Sequence, residues 1–176
     1  MIVGDNLASL VRQHSICSPG DVEDFCISVK LGDKYFEPTR EGEVIIYGVP
    51  AQHPESYFNE EQDIRARLVL KPGGRVISCT ASSIKMPKGY FGLLQTKGTL
   101  ARLFVQVTCN DGQVEPGFDG YVTLELVNLS PWQVEFPRHS EIGQLYIFKC
   151  SSVVDVGYQG RYADRAKVGP TLPIFR

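Results

Sequence analysis

The 176-residue sequence is 43% hydrophobic and 22% charged, enough apolar material for a single globular domain whose core needs no covalent staples. Its formal net charge of −2 provides no basic field for a nucleic-acid polymer, and no apolar run approaches a membrane span. The N-terminus lacks the basic head and apolar run of a signal peptide, so the chain reads as soluble and cytoplasmic. Residues 5–13, DNLASLVRQ, predict a short helix capped by Asp5 or Asn6, with Leu7, Leu10 and Val11 on one face. Ser18-Pro19-Gly20 then breaks the chain. From residue 25 the pattern changes to short runs rich in Val, Ile, Tyr and Phe, at 25–31, 43–47, 65–70, 75–80, 90–95, 103–108, 121–127, 132–136 and 144–148. Short strands at this spacing predict an antiparallel sandwich or barrel. Residues 48–63, with Pro50, His53 and Pro54, read as an irregular surface loop. Beyond Cys150 the apolar period is lost, and Tyr158, Arg161, Tyr162, Arg165 and Lys167 dominate the tail. From residue types alone the tail reads as a frayed terminus, although its aromatic and basic residues suit stacking and phosphate neutralisation.

The chemistry concentrates between residues 97 and 129. In a strand over 121–127, Tyr121, Thr123, Glu125 and Val127 share one face and Val122, Leu124 and Leu126 the other. Glu125 therefore lies on a half-apolar face, flanked in sequence by two leucines. Two readings stand: an ordinary surface carboxylate, or a desolvated general base with raised proton affinity, oriented by an arginine. Arg102, directly after Leu100 and Ala101, is the candidate arginine. The five cysteines, Cys17, Cys26, Cys79, Cys109 and Cys150, are odd in number and form no C-x-x-C pair, so neither a disulfide framework nor a zinc knuckle is indicated. His14, His53 and His139 are isolated. The H-x-E with P-C-x-x-C arrangement of zinc-dependent nucleobase deaminases is absent, and no metal-ligand set is assigned.

The runs TLAR, FVQVT, VEPGFDG, YVTLELVNLSP and IGQLYIF, in that order, resemble the dCTP deaminases, a family in the same superfamily as the trimeric dUTPases. ISVKLG, LKPGG, MPKGYFG and YQGRYADRAKVGPT extend the resemblance over most of the chain. It implies an all-β, distorted jelly-roll-like barrel of the dUTPase type with one or two short helices, spanning 1–176 as one domain. The segment 151–176 would be a tail covering the nucleotide, and the protein a homotrimer with sites between subunits. It also implies metal-independent hydrolysis of dCTP to dUTP and ammonia, with Mg²⁺ arriving on the triphosphate.

By that resemblance Glu125 is the base and Arg102 its orienter. Lys97, Gly98 and Thr99 meet phosphate, and the backbone of Cys109 contacts the ring and the water. Tyr158, Arg161, Tyr162 and Arg165 supply the tail. Glu115 stands where the superfamily usually carries the aspartate that, in dUTPases, activates water at the α-phosphate. Its extra methylene displaces such a water, which disfavours diphosphate release. The family's R-S-S-L-A-R is here Lys97-Gly98-Thr99-Leu100-Ala101-Arg102, with Gly98 for the water-holding serine. Ser28 replaces an aspartate, and Arg165 replaces a glutamine in the tail. The loop at 110–113 is longer than the family's. Two functional classes follow: an active deaminase, or a non-catalytic trimeric nucleotide-binding homologue that has lost the serine.

Overall fold

The computed structural model describes residues 1–39, 44–47 and 54–174. Helix α1 (Gly4–His14) comes first, followed by strands β1 (Ile27–Phe36), β2 (Gln62–Asp63), β3 (Arg67–Leu70), β4 (Arg75–Thr80), β5 (Ile84–Lys85) and β6 (Tyr90–Thr96). A second, short helix α2 (Gly98–Arg102) precedes β7 (Val105–Gln106), β8 (Gln113–Val114), β9 (Asp119–Gly120), β10 (Thr123–Asn128), β11 (Val134–Pro137) and β12 (Glu141–Lys149).

The long first strand curls the sheet. Its N-terminal half pairs with β12, Ile27 opposite Leu145, while its C-terminal half pairs with β4, Phe36 opposite Ile77. One strand thereby joins two half-sheets into the order β7-β10-β4-β1-β12-β6-β8, all antiparallel. The register slips between Val29 and Lys30 and again between Leu31 and Tyr35, and such irregularities add the twist that lets a sheet turn a corner. Two-stranded ribbons, β11 with β3 and β5 with β9, flank it. This is the expected jelly-roll-like β-barrel architecture with two short helices.

Inside the curl, alternate residues form a continuous core. Leu124 and Leu126 of β10, Leu94 of β6, Leu145 and Ile147 of β12 and Leu31 of β1 are all buried. Helix α1 packs Leu7, Leu10 and Val11 against that core, and the Ile2–Ile147 bridge anchors its N-terminus to β12. The helix begins at Gly4, one residue before the predicted cap. Val3 sits at the cap position without a side-chain bond, so neither Asp5 nor Asn6 caps it, and Asp5 lies in the first turn. There its charge still favours the positive end of the helix dipole.

The predicted run at 103–108 is only partly strand. Phe104 has φ 57°, and the chain leaves α2 before Val105 and Gln106 join β10. Residues 44–47 of the predicted strand at 43–47 are not in a strand, and Glu43, Pro50 and His53 lie outside the described residues. Among the described residues no helix is long and apolar enough to cross a membrane.

Candidate active site

Strand β10 carries the site. Its inward residues, Leu124 and Leu126, are fully buried, so the register forces Thr123 and Glu125 onto the opposite face. Glu125 lies opposite Ile77 of β4. Along the other edge of β10, a bridge joins Thr108 to Glu125, and the Cys109 thiol donates to the Glu125 carbonyl at 3.3 Å. Glu125 thus sits mid-strand with its backbone held on both sides, and such a rigid seat suits a reacting group.

The Glu125 side chain lines a cavity of about 210 Å³ together with Asp111, Gln113 and Glu115. That is below the roughly 300–1,000 Å³ of pockets enclosing a whole drug-sized ligand, so the cavity suits a ring rather than an entire nucleoside triphosphate. Glu125 Oε2 is buried and has no hydrogen-bond partner. Burial, and then the negative charge of Asp111, push its proton affinity up to about 7, against an opposing backbone hydrogen bond. Glu115 is shifted in the same direction, first by burial and then by Asp111. Burial followed by the charge of Glu125 also raises the Cys109 thiol, which removes any case for a reactive thiolate there.

The loop from Thr108 to Gly112 is held from below as well. Leu94 N donates to Gly112 O at 2.7 Å, and a Cβ on Gly112 would stand 2.2 Å from Leu94 O. Only glycine fits there. Gly112→Ala is expected to cost about 2–4 kcal/mol by forcing the loop off β6, measurable as a fall in denaturation midpoint.

The tail closes the cavity from above. Tyr158, Tyr162, Thr171 and Pro173 line it. Tyr158 N bonds Pro116 O at 2.9 Å and Tyr121 N bonds Ala166 O at 2.7 Å, while the Tyr158 ring packs on Phe118 with centroids 5.7 Å apart. The Thr123 and Thr171 hydroxyls lie 2.7 Å apart, and Thr171 N donates to Thr123 Oγ1 at 3.2 Å. A frayed terminus is therefore not what these residues form. Thr123→Val removes both bonds, a loss of about 1–2 kcal/mol of tail docking. Limited proteolysis of the tail is expected to accelerate roughly five- to thirtyfold as its open population rises.

The structure does not bring all the sequence-predicted residues together. Arg102 does not orient Glu125 within one chain: it is exposed at the end of α2, and its Nη1 donates to Gly98 O at 2.9 Å. The reason is local, since four residues along a helix brings the guanidinium back over Gly98, where a Cβ would lie 3.0 Å from Nη1. Lys97 is ion-paired with Glu141, and Thr99 is exposed. Lys97, Gly98, Thr99 and Arg102 are all outside the cavity lining. Arg161 donates to Ile174 O at 3.2 Å, and Arg165 is exposed in a 3₁₀ turn; neither lines the cavity. Glu125, Glu115, Tyr158 and Tyr162 do meet there. Sequence reasoning gave no site role to Asp111 or Thr171, because single residues in loops carry no periodicity. Tyr121 and Thr123 were visible as face-mates of Glu125 in the period-two pattern.

Comparison with known proteins agrees with this architecture. A family model described as dCTP deaminase-like matches residues 5–150. A Pseudarthrobacter chlorophenolicus protein named dCTP deaminase, dUMP-forming, is 30% identical over 156 residues, covering 87% of this chain and 81% of its own. A Streptomyces griseus protein of the same name is 31% identical over the same shares. The fold resembles the crystal structure of 2′-deoxycytidine 5′-triphosphate deaminase from Agrobacterium tumefaciens, with TM-score 0.61, 17% identity and 83% of this chain covered. This chain spans about half, 47%, of that one. With the family model spanning most of its length and the barrel to match, the chain belongs to the dCTP deaminase-like family of hydrolases.

Proposed function

We propose that this protein hydrolytically deaminates dCTP, releasing ammonia and dUTP, with Glu125 as general base. The observation that carries the reading is the lone, buried Oε2 of Glu125, facing a ring-sized cavity with a proton affinity near neutrality. A base with that affinity takes a proton from water and returns it within one turnover at pH 7. Water attacks C4 as Glu125 removes one proton and passes it to ring N3. Glu125 then takes the proton of the new C4 hydroxyl and hands it to the amino group, and the C4–N bond breaks to release NH₃, leaving C4=O and N3–H. One water enters and one ammonia leaves, so atoms and charge balance. Among the described residues no group of three or more His, Cys, Asp or Glu side chains is placed to hold a metal ion. Mg²⁺ enters this reading with the triphosphate, as part of the substrate.

Phosphate recognition then falls to a neighbouring copy. The cavity admits a ring, and Lys97, Gly98, Thr99 and Arg102 sit outside it on an exposed helix and its entry. A cyclic homotrimer would set that helix of one subunit against the Glu125 cavity of the next, in a closed heterologous ring. Arg161 and Arg165, exposed on the tail, would supply further positive charge for the phosphates in this reading. We place the protein in the cytoplasm, a reducing setting in which its five free cysteines remain thiols.

A second reading has its own support. Glu115 lines the same cavity as Glu125, and the relatives' names specify dUMP as product. Incubation with dCTP and Mg²⁺, with nucleotides resolved by anion-exchange chromatography, separates the alternatives. Ammonia with dUTP supports deamination alone. Ammonia with dUMP and diphosphate supports cleavage at the α-phosphate as well, and its loss in Glu115→Gln assigns Glu115 a role in that step. Binding without turnover makes the protein a nucleotide-binding homologue and overturns the catalytic reading.

A further inference from the structure

The loop between Thr108 and Gly112 is strained and firmly fixed, a combination that calls for a reason. Cys109 and Asn110 are consecutive non-glycine residues at positive φ, 41° and 75°; asparagine visits that region readily, whereas Cys109 adopts it only when its surroundings impose it. Those surroundings are the bridge from Thr108 to Glu125, the Cys109 thiol bond to the Glu125 carbonyl and the Gly112–Leu94 contact beneath. The turn closes with Asp111 N donating to Thr108 O at 2.7 Å. Its outcome is to deliver one side chain, Asp111, to the wall of the Glu125 cavity. No hydrogen-bond or ion-pair partner for that carboxylate is found among the described residues. The loop is also the place where this sequence is longer than the family pattern it otherwise follows.

We infer that Asp111 is a specificity-determining residue of this site: its carboxylate accepts a hydrogen bond from the 4-amino group of the pyrimidine and repels a 4-oxo group. This rests on the assignment of Glu125 as the base. If Glu125 directs water at C4, the loop stapled to the Glu125 backbone stands beside the substituent on C4. An ionised carboxylate only accepts hydrogen bonds. It therefore matches the –NH₂ of cytosine, which donates, and opposes the O4 of uracil or thymine, which accepts. Glu115 also places a carboxylate on the cavity wall, but it follows β8 and lies outside the loop stapled to the Glu125 backbone. The remaining polar groups do not discriminate in this way. Gln113 and the hydroxyls of Tyr121, Thr123 and Tyr162 donate and accept alike, and Glu125 is engaged with the water. The same repulsion expels the product, because deamination turns the donor on C4 into an acceptor. Discrimination that includes a repulsive element exceeds what favourable contacts supply alone.

The test is equilibrium binding to the full-length protein in a Glu125→Gln background, so that dCTP persists, with dUTP as the 4-oxo partner and calorimetry as the readout. The chain with Asp111 is expected to bind dCTP at least about tenfold more tightly than dUTP, the scale of one good base-edge contact. Asp111→Asn, which is isosteric but also donates, is expected to bring that ratio below about threefold, and Asp111→Ala to do likewise. An unchanged ratio in both variants, with binding intact, overturns the role of Asp111 and leaves the assignment of Glu125 standing. Failure of dCTP to bind overturns both. Circular dichroism of each variant confirms that a changed ratio comes from folded protein.

Discussion

Glu125→Gln is expected to lower dCTP deamination by about 10²–10⁴-fold while making the protein more stable at pH 8. The loss follows from removing the group that accepts the proton of the attacking water. The gain follows from the cost of the same group in its ionised form. Glu125 takes its proton at about 7 in the folded chain, above the ordinary value of 4.5. Between those values the folded state holds a proton that the unfolded state has released, so stability falls as pH rises from about 4.5 to about 7. Above 7 the whole penalty is present; below 4.5 it is absent. A shift of this size corresponds to at most about 3 kcal/mol, and partial exposure of the side chain reduces it. Urea denaturation at pH 8 should show the glutamine variant about 1–3 kcal/mol more stable, with the difference vanishing near pH 4. The wild-type pH profile has the matching sign: kcat/KM rises as pH passes upward through about 7, because the base must be ionised to act.

Arg102→Ala and Glu125→Gln are each expected to be inactive as pure proteins, yet mixing them should restore activity. In one chain Arg102 is turned back on Gly98 and stands outside the Glu125 cavity. A site drawn from two subunits explains why both residues fit the family motif without meeting. After unfolding and joint refolding at equal amounts, a ring with one site per interface holds about one quarter of its sites with both native residues. Activity near a quarter of wild type is the expected result. No recovery, with mixed oligomers demonstrated by mass spectrometry, would mean that Arg102 acts in its own subunit or not at all.

Strands were the legible part of this chain because a half-buried strand writes its burial into alternate residues. β4, β6, β10 and β12 stand within a residue or a few of the runs at 75–80, 90–95, 121–127 and 144–148. The two-residue strands β2, β5, β8 and β9 left no trace, since two residues cannot show a period. Helix α2 was hidden for a different reason: the run beginning at Leu103 read as a strand, whereas the chain is helical over Gly98–Arg102 and reverses at Phe104, with φ 57°, before Val105. For the site, the leucines around Glu125 exposed the base. Asp111 and Thr171 gave no such mark, because each acts through the place to which a turn or a tail delivers it. Asn128 illustrates the same limit in the core. It is fully buried and its amide reaches Leu70 O, Trp132 O and the Ser130 hydroxyl, a hub that tertiary structure alone assembles.

If water held by Glu125 attacks C4 of the pyrimidine, the oxygen of that water must end on the base. Turnover of dCTP in H₂¹⁸O, followed by mass spectrometry of base and phosphate fragments, is predicted to put one ¹⁸O on the uracil base for the native chain, and to do so at least about a hundredfold more slowly for Glu125→Gln. Label confined to the phosphates, or base labelling at the native rate in the glutamine variant, would show that Glu125 does not direct water to C4.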